Sequence, residues 1–215
     1  MTQITEEVTA RVVQLDPAAK AEAQAILFRA YKNEPTFQYL FESRRKGYEQ
    51  RVRATIRELV RVHFESEQAT IGLVLDNHLI AVALIGSPSA RLGLGFRMNW
   101  RIRMMITAGM DCTWRYINYH KQIHRCLPQT AHHELPLIGV DAAYRNMGYG
   151  RQLMHEIEQV CLANPDSAGI ALDTGNARYL NFYQGLGYQV VGKVKLGSLV
   201  ESVLFKPRAA LGSSK

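Results

Sequence analysis

No stretch of this sequence approaches the ~18–20 consecutive apolar residues that a membrane-spanning helix needs. The first residues, MTQITEEVTARVVQ, carry acidic side chains early and no long apolar segment, so they do not read as a secretory signal. Cysteine is scarce. Cys112, Cys126 and Cys161 are odd in number and show no C-x-x-C spacing, which argues for reduced thiols in a cytoplasmic protein. H-E-x-x-H is missing too. His120 and His124, at i and i+4, could ligate a metal with Cys112, Cys126 or the pair His132 and His133. Their neighbours on that helical face are apolar, which favours core or pocket histidines and no metal. Dense Lys/Arg tracts, an RNA-binding aromatic signature and a helix-turn-helix signal are also absent. The net charge of +7 is therefore read as a basic surface with a site for an anionic co-substrate, with neither nucleic acid nor a membrane as partner.

What is present suits a globular chain. At 215 residues, 47% hydrophobic and 21% charged, it can bury a sizeable core. No linker is visible, so one domain is expected over residues 1–208, with a frayed tail at 209–215. Residues 8–15 suggest a first strand. Asp16-Pro17 then starts a helix, with Asp as cap and Pro at the first position. Asn33-Glu34-Pro35 interrupts it, and residues 44–66 form a second helix. Strands at 70–75 and 79–85 flank Asp76-Asn77-His78, a hairpin signal. Residues 87–130 form an insertion, which opens as a loop around Pro88, Gly93 and Gly95. It continues as helices at 96–110 and 111–127, and the second carries Tyr116, His120 and His124 on one face. That face could wall an acceptor pocket or simply cover the sheet. The insertion is strongly basic and could attract an anionic partner.

The chain is organised around residues 135–163. A short apolar strand, 135–140, leads through Arg145-Asn146-Met147-Gly148-Tyr149-Gly150-Arg151 into a helix with Leu153, Met154, Ile157, Val160 and Cys161 on one side. The first N–H groups of a helix have no internal partner, and its dipole is positive there. Bare glycine backbone and flanking arginines complete a seat for a phosphate. Strands at 168–173, 188–194 and 199–205, with a short helix at 177–185, finish the chain. Hairpins at both ends and one crossover predict a mixed α/β sheet with a parallel pair where strand 135–140 meets strand 168–173.

Arg145-x-x-Gly148-x-Gly150 after a strand resembles the acyl-CoA pyrophosphate loop of the GNAT superfamily of N-acetyltransferases. It matches neither the P-loop nor the dinucleotide-binding pattern. Leu172-Asp173-Thr174-Gly175-Asn176, followed by Asn181-Phe182-Tyr183-Gln184-Gly185-Leu186-Gly187-Tyr188, is similar to the later GNAT motif. Residues 132–140 resemble the H-W-Y-L-x-x-L-G-V stretch of the puromycin-resistance-type branch. The resemblance spans about 132–192. Ala142 stands where the family usually has proline, His133-Glu134 where that branch has Trp-Tyr, and Pro136 is unexpected in a central strand.

The resemblance implies a GNAT-like, mostly antiparallel sheet with a splayed parallel strand pair and flanking helices. It implies acetyl-CoA as co-substrate and direct transfer of an acetyl group to an amine, a small molecule being favoured over a protein amine. Backbone groups of Ile138, Gly139 and Val140 would pair with the pantetheine, with the Val140 N–H as oxyanion donor. The N–H groups of Arg145, Asn146, Met147, Gly148, Tyr149, Gly150 and Arg151 would hold the pyrophosphate. Asn176 would lie beside the pantetheine arm, and Tyr183 would protonate the thiolate. Glu134, His132, His133 or water would be the base. A non-catalytic acyl-CoA-binding or sensing module is the alternative reading. A homodimer is left open.

Overall fold

A computed structural model describes residues 10–89 and 94–212. The expected first strand is observed as β1 (Arg11–Gln14), and Val8 and Thr9 lie outside the described residues. Asp16 caps a 3-10 turn (Pro17–Ala19) by accepting from the Ala18 N–H at 2.8 Å, and α1 (Lys20–Tyr31) follows. The interruption at Asn33-Glu34-Pro35 opens a further short helix, α2 (Pro35–Leu40), with Pro35 at its first position. Then come α3 (Tyr48–Glu65), β2 (Thr70–Leu75) and β3 (His78–Gly86). Asp76 and Asn77 both have positive φ, 49° and 62°, as a tight hairpin turn requires.

Two helices, α4 (Leu94–Ala108) and α5 (Met110–Cys126), precede β4 (His133–Val140). Of the glycines placed in the opening loop, Gly93 lies outside the described residues and Gly95 belongs to α4. After β4 come α6 (Tyr149–Ala163), β5 (Gly169–Thr174), α7 (Ala177–Gly185), β6 (Gln189–Leu196) and β7 (Leu199–Pro207). The seven strands are ordered β1-β2-β3-β4-β5-β7-β6, and β4-β5 is the parallel pair.

The sheet separates two apolar layers. On one side α1, α2, α3, α4 and α5 supply Ile26, Leu27, Phe37, Phe41, Val52, Ile56, Met104 and Tyr116, meeting Leu84, Leu137 and Val203. On the other, α6 and α7 supply Leu153, Met154, Ile157 and Tyr183, meeting Ile80, Ala83, Ile170 and Leu204.

Fraying is expected from Ala209, yet the chain there is anchored. A 3-10 turn (Arg208–Ala210) leads to buried Leu211, and the Gly212 N–H donates to Glu158 Oε2 at 3.1 Å. The Arg208 guanidinium donates to the Cys161, Leu162 and Asn164 carbonyls, which closes the end of α6. Residues 213–215 lie outside the described residues.

Candidate active site

The site begins with a fault in β4. Gly86 pairs with Glu134 and Leu84 with Leu137, so β4 spends three residues where β3 spends two. The extra residue makes a β-bulge at Leu135-Pro136, one of the few places where a central strand tolerates a residue without an N–H. Pairing with β5 stops there as well. His133 faces Ile170 and Glu134 faces Ala171, and beyond them the two strands part. The bulge also reverses the side-chain phase. Leu135 packs toward α6, whereas Leu137 packs under α1 and α5.

Antiparallel alternation then decides which backbone groups are available. The Asp141 N–H donates to the Ile80 carbonyl at 2.8 Å, so Gly139, two residues earlier, exchanges its bonds with Val82. The polar groups of Ile138 and Val140 face the gap instead. There the Ile138 N–H donates to the Tyr31 hydroxyl at 3.1 Å, and the Val140 carbonyl accepts from Arg145 Nε at 3.1 Å. Gly139 contributes by being small: a Cβ there would stand 2.9 Å from Ala30 Cβ.

At the gap's open end, Asp141 caps a 3-10 turn (Ala142–Tyr144) and pairs with Arg29 at 2.5 Å. Asn146 and Gly148 have φ of 64° and 88°, and Gly148 caps α6. A Cβ at Gly148 would meet nothing within 4 Å, so the glycine answers to backbone conformation and leaves open space. The first turn of α6 leaves the Tyr149 and Gly150 N–H groups without intrahelical partners. Arg145, Arg151 and Arg178 line the same end, and Arg178 Nη2 donates to Asn146 Oδ1 at 2.5 Å.

A cavity of about 360 Å³ runs from this loop, through the gap, to the region beneath α2 and α5. Tyr183, buried on α7 against Phe182 and Tyr188, lines its middle. Burial above all, then Tyr179, Asp173 and Glu34, pushes its phenol pKa up, so it stays protonated and can donate. Glu34 lies at the α1–α2 break, where burial raises its pKa against the opposing effects of Asn176 and Arg145. Asn176 caps α7 by accepting from the Arg178 N–H at 3.0 Å, and its amide reaches both Glu34 oxygens at 3.4 Å.

The far end is acidic. Asp173 of β5 and Glu201 of β7 lie together, held by the Tyr119 hydroxyl, which donates to Asp173 and lies 3.4 Å from Glu201 Oε1. Thr36 Oγ1 donates to Glu201 Oε2 at 2.6 Å. Burial first, and Asp173 second, push Glu201 up to about 8, so Glu201 holds a proton near neutrality, and burial pushes Asp173 up as well. Tyr116, Tyr119 and His120 of α5 form the wall. Burial, then His124, pushes His120 down to about 4, so its imidazole is neutral there.

The structure brings Ile138, Gly139, Val140, Arg145, Asn146, Gly148, Gly150, Arg151 and Tyr183 onto one cavity. Glu134 is not on its lining. Its carboxylate lies 3.5 Å from His124 and 3.9 Å from His132, with its side chain 42% exposed. His133 is buried on the α6 side, 2.8 Å from Ser167 Oγ. Sequence reasoning gave no role to Tyr31, Glu34, Tyr119, Asp173, Arg178 or Glu201. One signal was present: Asp173 and Glu201 interrupt the apolar strands GIALDT and LVESVLFKP.

Residues 112–190, from α5 into β6, match the family model described as Acetyltransferase (GNAT) domain. No curated protein matches the chain. Among solved structures, the histone acetyltransferase HPA2 and related acetyltransferase of Corynebacterium glutamicum is 18% identical, covering 93% of this chain and 96% of its own, with a TM-score of 0.67. The C-terminal condensation domain of Ebony is 12% identical, covering 93% and 99%, with a TM-score of 0.70. Arylalkylamine N-acetyltransferase 2 of Aedes aegypti is 12% identical, covering 93% and 99%, with a TM-score of 0.66. The splayed β4-β5 pair, the glycine loop entering α6 and these matches agree: residues 112–190 are similar to a GNAT acetyltransferase domain, and the chain as a whole has the fold of these acetyltransferase structures.

Proposed function

We propose that the protein transfers the acetyl group of acetyl-CoA directly to the amino group of a small molecule. The observation that carries this reading is the polarity of one cavity: three arginines and free helix-start N–H groups at one end, the carboxyl groups of Asp173 and Glu201 at the other, and a protonated phenol with Glu34 between them. The loop end fits a pyrophosphate by charge, by free donors and by the open space over Gly148. Ile138 and Val140 turn backbone groups that no neighbouring strand pairs toward the gap, where a pantetheine would take the place of the Tyr31 and Arg145 contacts in the manner of an added strand. Asn176 does not line the cavity, and its amide reaches Glu34, which does.

Bound acetyl-CoA supplies the acyl carbon and a thiolate leaving group. Tyr183 donates the proton that thiolate needs. The Ile138 N–H takes the oxyanion role ahead of Val140, because it already meets a hydroxyl oxygen, that of Tyr31, close to Tyr183. Glu34 is better placed than Glu134 to take the proton of the incoming amine, because Glu34 lines the cavity and burial raises its basicity. The similar structures include one named for histone and one for arylalkylamine acetylation. A cavity closed over by α2 and α5 favours the small acceptor. The puromycin-type branch rests on residues 132–140 alone, and neither His133 nor Glu134 lines the cavity, so it adds nothing about the acceptor.

The test is thiol release from acetyl-CoA across a broad amine panel, with CoA affinity measured by calorimetry for the wild type and Gly148→Asp. We expect acetylation of at least one small amine and loss of CoA binding in the variant. Wild-type affinity in Gly148→Asp would overturn the cofactor assignment.

A further inference from the structure

We infer that the acceptor carries two cationic groups, one that reacts beside Glu34 and Tyr183 and a second that is seated between Asp173 and Glu201 at the far end of the cavity. The inference rests on the acyl-transfer reading above.

Among the described residues, no Lys, Arg or His lies in an ion pair with Glu34, Asp173 or Glu201. The arginines of the cavity are all at the loop end. Among the described residues, Asp173 and Glu201 are hydrogen-bonded only to the neutral hydroxyls of Tyr119 and Thr36 and to each other, and His124 favours the charge of Asp173 without forming an ion pair with it. Buried without a cation, this pair is costly to ionise and holds protons instead, and a ligand cation seated between the two carboxyls would make their ionised form favourable.

A second observation points the same way. Tyr116 is 7% exposed and lines this end of the cavity, yet among the described residues its hydroxyl has no hydrogen-bond partner. Its ring stands beside His120, 4.4 Å between centroids, and Tyr119 follows on the same wall. An aromatic wall, an unused hydroxyl and a carboxylate pair together suit an alkylammonium or guanidinium head.

The second group cannot be the reacting one, because the strands keep the two places apart. Glu201 belongs to β7, two strands from Ile138 in the order β4-β5-β7. Neighbouring strands lie ~4.8 Å apart, so the separation is roughly 10 Å, and more where β4 and β5 splay. Asp173 adjoins both places, since its charge acts on Tyr183 and Tyr31 as that of Glu34 does, so it is Glu201 that sets the second seat apart. A short alkyl chain with a cationic group at each end spans this distance.

The experiment compares 1,7-diaminoheptane with heptylamine, binding each by calorimetry to the CoA-saturated full chain. We expect the diamine to bind about tenfold tighter or more, the order of a desolvated charge contact. Glu201→Gln, and independently Asp173→Asn, should bring that ratio to about one, with folding checked by melting. Equal affinities in the wild type, or an undiminished preference in both variants, would overturn the inference. CoA affinity is recorded in the same titrations: absent CoA binding refutes the acyl-transfer reading, whereas intact CoA binding with no diamine preference refutes the second cation seat alone.

Discussion

Two side chains carry the proposed chemistry, and each is defined by its surroundings. Burial keeps the Tyr183 phenol protonated, which suits an acid for a thiolate. Burial raises Glu34, which suits a base for an ammonium. Tyr183→Phe and Glu34→Gln should each lower kcat by roughly 10²-fold with CoA affinity kept. An unchanged kcat, where chemistry limits turnover, removes that residue from the mechanism. Glu201 has a stability consequence. Its folded pKa of about 8 lies above the ordinary 4.5, so between those values the folded state holds a proton that the unfolded state releases. Its contribution is therefore fully favourable below about 4.5 and is lost as pH rises through 8. Glu201→Gln should flatten that fall, raising the melting temperature at pH 9 relative to the wild type more than at pH 5. Equal differences at both pH values would show that Glu201 is ionised in the folded protein.

Among the elements, β4 determines the site. Its bulge ends the pairing with β5, and its Gly139 lets α1 lie directly on the strand. A Cβ at that position would meet Ala30 Cβ at 2.9 Å and Leu27 Cδ2 at 3.4 Å, and Leu27 is itself fully buried. Gly139→Ala should cost about 1–3 kcal/mol by overpacking, read as a lowered urea midpoint. It should also weaken CoA binding, because pushing α1 away moves Tyr31 off Ile138. A variant with wild-type stability would mean that α1 yields without cost. The helices α4 and α5 have a comparable role: α5 roofs the acidic end with Tyr116, Tyr119 and His120, while His124 turns outward to Glu134.

Across the whole molecule, one buried ion pair ties the sheet to the layer behind it. Lys206 of β7 and Glu158 of α6 are 1% and 2% exposed and meet at 2.7 Å, with the Tyr188 ring 5.8 Å from the ammonium. Glu158 also accepts from the Gly212 N–H, so the C-terminal turn depends on the same carboxylate. Lys206→Met leaves that carboxylate buried without its cation and should destabilise by about 3–5 kcal/mol. Lys206→Met with Glu158→Leu should recover most of the loss, because replacing both partners strands no charge. Chemical denaturation of the single and double variants checks this, and a double variant as unstable as the single would refute it.

Local sequence was enough to define most of the elements, α2 excepted, and the glycine loop proposed to seat the pyrophosphate. The spacing of Leu153, Met154 and Ile157 sets α6, Asp76-Asn77 sets the hairpin, and glycines at a helix start set the anion seat, because each depends on a few consecutive residues. The splayed parallel pair was legible through the family resemblance and is present between β4 and β5. The acidic end was not legible. Glu34, Tyr119, Asp173 and Glu201 come from four separate elements, and nothing in the spacing along the chain says that they meet. Glu134 shows the converse, since its place near the cofactor strand suggested a base, yet before the bulge its side chain points to His124 and His132 and not into the cavity. Short-range pattern determines backbone conformation and which face is apolar. Only the packing of α2 and α5 over β5 and β7 decided which carboxylates lose water together, and that shared burial gives the cavity its polarity.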